Sequence, residues 1–92
     1  MGKAVPLFFM RAIKQTEAVN HVEKLLIERG FNVPSRKLSN GWIIFDYEGK
    51  QLGVDSTSGV WVRSSELDDW RCFAKPCSVS GAIQAVEFLT KE

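Results

Sequence analysis

In the stretch TEAVNHVEKLLIERGF the apolar positions recur at helical spacing: Ala18, Val19, Val22, Leu25 and Leu26 share one stripe. The pattern predicts a helix with Thr16 as N-cap, Glu17 in its first turn and Gly30 as its stop. At about 100° per residue the stripe centres on Val22, which turns Asn20, Lys24 and Ile27 outward and leaves His21 at the margin. Ahead of it, Val5 to Ile13 is rich in aromatic and branched residues and predicts a first strand, with Pro6 at a strand start or sheet edge. Behind it, Asn32 to Asn40 reads as an exposed loop holding Pro34 and the basic pair Arg36 and Lys37.

The period then changes from helical to alternating. Gly41 to Tyr47, Gln51 to Asp55 and Val60 to Arg63 read as three strands, joined by a turn around Glu48–Lys50 and by the connection Ser56–Gly59. A tight turn at Glu48–Gly49 or at Gly49–Lys50 places Ile43, Phe45 and Tyr47 on the same face as Leu52 and Val54. With a four-residue connection at 56–59, Trp61 joins that face as a packing residue beside Val54. Trp42, Ile44, Val60 and Val62 then fall on the opposite face. That second apolar face is either covered by the loop from Ser64 to Pro76, which carries Leu67, Trp70 and Phe73, or is a partner surface. Cover by the loop is expected.

The chain closes on a second amphipathic helix beginning near Ser78 or Ser80. Its stripe is Val79, Ala82, Ile83, Val86 and Leu89, with Phe88 pointing away. The predicted fold is therefore α+β, in the order β-α-β-β-β-α, a mostly antiparallel sheet with two helices packed on one face. Ninety-two residues supply one core, so residues 1–92 form a single domain.

Composition narrows the function classes. Twelve Lys and Arg against eleven Asp and Glu leave a formal charge of +1, which argues against binding nucleic acid mainly through phosphates but allows a local patch. The apolar run VPLFFM is followed at once by Arg11 and is too short for a secretory or membrane-spanning segment, so the chain is expected in the cytoplasm. Cys72 and Cys77 with the single histidine His21 do not make a zinc set, and both thiols are expected to be reduced. Neither a metal nor any other cofactor is expected, and no small-molecule ligand.

Catalysis finds little support. A nucleophile–base pair would have to use His21, while the serines and threonines lie in turn-like clusters. DSTSG at Asp55–Gly59 reads as a turn, and the acid pairs Asp46/Glu48 and Asp68/Asp69 lack calcium-loop spacing. No catalytic residue is assigned. Candidate binding residues fall into two groups of opposite sign. Lys14, beside Arg11 at the first helix, Arg36 and Lys37 in its exit loop, and Arg71 with Lys75 before the last helix form the basic group. Exposed indoles such as Trp42 or Trp70 beside these charges are the combination used for single-stranded nucleic acid. In SSELDDW, Glu66, Asp68 and Asp69 crowd one loop around Leu67 and Trp70, a pattern suited to docking on a basic protein groove.

Two resemblances bear on these groups. From Thr16 onward the helix, meander and helix resemble the αβββα order of double-stranded RNA-binding domains, and GAIQAVEFLTKE is similar to their alanine-rich last helix. That family clamps phosphates with a lysine cluster at the start of the helix. Here the corresponding AKPCSVSG has Lys75 alone, so the closing helix is read as a packing element. TEAVNHVEKLLIERGF and GWIIFDYEGKQLGVDSTSGVWVR, in a charge-balanced α+β chain of this size, resemble the small phage-encoded anti-CRISPR proteins, particularly inhibitors of the type I-F surveillance complex. This second resemblance implies a stoichiometric inhibitor, acting in the infected bacterial cell, that binds Cas proteins of a multisubunit guide-RNA complex, with the guide RNA itself a further candidate contact, and blocks hybridisation of target DNA. The alternative is a nucleic-acid-binding module of the double-stranded RNA-binding type.

Overall fold

The computed structural model of the chain describes residues 14–91, so the strand expected over Val5–Ile13, and Arg11 with it, lie outside the described residues. Helix α1 spans Gln15–Glu28, strands β1 to β5 span Ser35–Lys37, Ile43–Tyr47, Lys50–Val54, Val60–Arg63 and Arg71–Ala74, and helix α2 spans Val79–Thr90. The strands form one antiparallel sheet in sequential order, an α+β fold with the helices packed on the sheet. Two of these strands, β1 and β5, arise where the sequence predicts loops.

Helix α1 buries Ala18, Val22, Leu25 and Leu26 and leaves Ile27 70% exposed, as the stripe requires. Its N-cap is Lys14 rather than Thr16. The Glu17 carboxylate accepts from the Lys14 backbone N–H at 3.0 Å, which starts the helix two residues earlier than a threonine cap would. Gly30, at φ +85°, ends it, with Gly30 N–H bonded to Ile27 O and Phe31 N–H to Leu26 O, both at 2.9 Å.

Gln15 ties this helix to the sheet. Its Nε2 lies 2.7 Å from Gly41 O, 3.2 Å from Val54 O and 3.3 Å from Asp55 O, and so occupies carbonyls at one end of β2 and β3. Gln15→Ala is expected to lower stability by about 1–2 kcal/mol, because those half-buried carbonyls lose their donor. A urea melt reads it; a loss below about 0.3 kcal/mol would mean that water replaces the amide.

Strands β2 and β3 meet through Glu48 and Gly49, whose φ values of +50° and +86° mark a two-residue turn of the mirror-image type that matches strand twist. Tyr47 pairs with Lys50, Phe45 with Leu52 and Ile43 with Val54. The next connection differs from expectation. Val54 pairs with Val60 and Leu52 with Val62, so Asp55 belongs to a five-residue loop and not to the strand. That single-residue shift inverts β4: Val60 and Val62 join the core, and Trp61 lies on the opposite face.

The core is built from Phe45, Leu52, Val54, Val60 and Val62 of the sheet, the buried stripe of α1, and Ala82, Ala85, Val86 and Leu89 of α2. Helix α2 is capped by Ser78, whose Oγ accepts from Gly81 N–H at 3.1 Å. Its buried stripe is rotated from the predicted one. Val79 is 65% exposed, and Phe88, expected to point away, is half-buried edge-to-face with Phe73 of β5 at 6.3 Å. No helix among the described residues is long and apolar enough to cross a membrane.

Candidate binding face

The two helices cover one face of the sheet. The alternation of the strands places Arg36, Ile44, Asp46, Gln51, Gly53, Trp61 and Arg63 on the other. A hydrogen-bonded polar row crosses it. Asp46 accepts from Arg36 Nε at 2.7 Å and from Gln51 Nε2 at 2.6 Å, and Gln51 Oε1 accepts from Arg63 Nε at 2.7 Å. Because Asp46, Gln51 and Arg63 stand directly opposite one another, the register of β2, β3 and β4 builds this row, and Gln51 is only 3% exposed within it. The Arg36 hydrogen bond holds the Asp46 carboxyl below its ordinary value against the opposing effect of burial, with Gln51 and the charge of Arg63 adding to it. Asp46 in turn raises Arg36, first by that bond and then by its charge, and Glu66 contributes to the same field.

Beside the polar row lies an aromatic one. Trp42 packs against Trp61 with ring centroids 5.9 Å apart and against Trp70 at 5.2 Å. Gly53 makes this possible: a Cβ there would stand 2.8 Å from Cε3 of Trp42. A cation sits at each end of the row, the Arg63 guanidinium 4.3 Å from the Trp70 ring and Lys75 Nζ 5.7 Å from the Trp61 ring. Trp70, from the connection after β4, thus supplies the cover expected of that segment, whereas Phe73 serves β5 and Leu67 is 96% exposed.

Trp61 is fixed by Asp55. The carboxylate, 6% exposed, accepts from Trp61 Nε1, Thr57 N–H and Gly59 N–H, each at 2.8 Å, and from Thr57 Oγ1 at 2.9 Å. Burial pushes this carboxyl up, but the bonds from Trp61, Gly59 and Thr57 outweigh it and hold it below the usual value. DSTSG is accordingly a turn, as its composition suggests, with Lys75 Nζ a further 3.9 Å from Asp55 Oδ2.

Of the eight candidate binding residues, Asp68, Asp69 and Arg71 line one hollow, and the eight do not form a single cluster. Lys14 is exposed at the start of α1, and Lys37 lines a hollow beside Gln15 and Thr16 of that helix. Arg36 belongs to an edge strand rather than to the expected exposed loop, and is engaged by Asp46. Arg71 lies over the rings of Phe73 at 5.8 Å and Phe88 at 5.3 Å. Glu66, Asp68 and Asp69 are exposed in one tight loop around Leu67, where Ser64 Oγ donates to Asp68 and Asp68 N–H bonds to Ser65 O at 3.2 Å. Trp61, Arg63 and Gln51 were not singled out for binding by sequence reasoning; the Asp-x-Thr-x-Gly spacing that lengthens the β3–β4 loop is the signal that reveals them.

Among the described residues no three His, Cys, Asp or Glu side chains gather to hold a metal ion. His21 is half-buried with its Nε2 lacking a hydrogen-bond partner among the described residues, and Cys72 is exposed while Cys77 is buried, both as free thiols. No protein-family model matches the chain, and neither the curated proteins nor the solved structures contain a significant match to it.

Proposed function

We propose that the chain is a stoichiometric protein-binding inhibitor that docks its Ser64–Trp70 loop into a basic groove of a partner. The observation that carries this reading is Leu67, 96% exposed at the tip of a loop whose own hydrogen bonds hold it in place. A large aliphatic side chain kept in water by an ordered loop is available for burial in a partner without further ordering of the backbone. The carboxylates of Glu66, Asp68 and Asp69 around it steer the loop toward positive charge and set its orientation. The resemblance to anti-CRISPR proteins supplies the partner: a Cas subunit lining the basic channel of a type I-F surveillance complex, where an acidic plug excludes target DNA from the guide.

Leu67→Ala is expected to weaken association with the purified surveillance complex by about 10- to 100-fold, and Asp68→Lys with Asp69→Lys by a similar factor. Thermal stability should be nearly unchanged in both, since Leu67 buries almost no area in the free chain and exposed charges contribute only about 0–1 kcal/mol. Calorimetric titration of wild type and variants against the complex decides it. Tight binding by all three, or no binding by wild type, would remove the reading.

A further inference from the structure

We infer that the face of the sheet turned away from the helices is a second, separate site, which takes a short run of single-stranded nucleic acid along the row Lys75–Trp61–Trp42–Trp70–Arg63. The steps of this row are 5.7, 5.9, 5.2 and 4.3 Å, so three indoles lie in sequence between two cations. Aromatic faces that accept bases, flanked by cations that accept phosphates, are what a single strand requires, and sequence tolerance follows because every base has a π face.

Charge selects a polyanion over an apolar or proline-rich peptide, which would also pack on indoles. Arg63 is bonded through Nε to the neutral Gln51 and makes no ion pair within 4 Å among the described residues, its charge reaching Asp46 only at longer range. Asp55, near Lys75, already receives four hydrogen bonds, three from its own loop and one from Trp61, and the Lys75 side chain remains half-exposed. The acidic loop stands beyond the Trp70 end: Asp68 and Asp69 line a hollow together with Arg63 and Arg71. Those acids limit the strand's extent in that direction and weaken its binding. The site does not include Leu67, so its failure and that of the docking loop are separable.

The test titrates the full chain with a single-stranded oligouridylate of eight nucleotides at two salt concentrations, following indole fluorescence and the anisotropy of a labelled oligomer. Quenching is expected on binding, with a slope of log K against log salt near −1.4 for two neutralised phosphates, at about −0.7 each. Lys75→Gln should reduce the slope to about half and weaken binding several-fold. Asp68→Lys with Asp69→Lys should strengthen it by at least about threefold, the reverse of its effect on a protein partner. Both sites of change are exposed, so folding is retained. No quenching at low salt, a slope untouched by Lys75→Gln, or equal quenching by an uncharged proline-rich peptide would each overturn the assignment.

Discussion

Replacing Phe45 by alanine is expected to lower stability by about 3–5 kcal/mol, the range for an aromatic side chain removed from a packed core. Phe45 is fully buried at the centre of the helix-covered face, paired with Leu52 across β2 and β3 and packed in the cluster that includes Leu26, Val62 and Val86. Trp61 is larger but lies on the other face, and Trp61→Phe keeps most of its apolar area while losing the Nε1–H bond to Asp55. That variant should lose only about 1.5–3 kcal/mol, the range for a hydrogen bond to a charged group. Urea melts of both compare the two faces directly. A larger loss at Trp61 than at Phe45 would mean that the core is on the Trp61 side and that β4 is registered differently.

That comparison also marks where the sequence was legible. The faces of β2 and β3 followed from alternation and from a glycine turn short enough to allow only one set of faces. Helix α1 was legible because five apolar residues at helical spacing have a single common face. Strand β4 was not, because Asp55 has two possible roles. As a strand end it leaves four residues in the connection, and as the acceptor for Thr57 and Gly59 it makes five, and the one-residue difference carries Trp61 from one face to the other. Strands β1 and β5 escaped for another reason. Ser35–Lys37 is polar and exposed at one edge, and Arg71–Ala74 pairs along one side only, with an irregularity against β4 at Val60 and Trp61. Edge strands this short carry no periodic signal, since their formation depends on the neighbouring strand rather than on their own pattern.

The candidate site was legible only in part for the same physical reason. Trp42, Trp70, Lys75 and the acidic loop were visible as residue types, but a binding row exists only once the register sets Gly53 beneath Trp42 and Arg63 opposite Gln51. The basic group dissolved because its members sit on different sides of the sheet. Arg36 lies on the face turned away from the helices, whereas Arg71 lies over Phe73 and Phe88, and Lys37 lines a hollow beside α1.

Asp55→Ala is expected to be among the most damaging single changes, lowering stability by about 3–5 kcal/mol at neutral pH. Removal of the carboxylate leaves Gly59 N–H, Thr57 N–H and Trp61 Nε1–H without their common acceptor; a buried donor so stranded, as at Gly59, costs about 1–3 kcal/mol, and the half-buried Trp61 donor adds to it. It also releases Trp61, so the face that carries the aromatic row loosens with the loop. Asp55→Asn separates charge from shape. In the wild type the folded-state carboxyl is held below its unfolded value, near 3.9, so the folded chain binds fewer protons than the unfolded chain as acid is added. The stabilisation is therefore full above the unfolded value and is lost as pH falls through the lower folded value. Asp46 follows the same sign but is unchanged in both proteins, so it cancels in the comparison. Wild type should exceed Asp55→Asn most at pH 7, and the gap should narrow steadily below about pH 4 as the carboxylate takes up its proton. Urea melts from pH 7 to pH 2 measure that gap, and a gap constant over the whole range would show that Asp55 acts by shape alone.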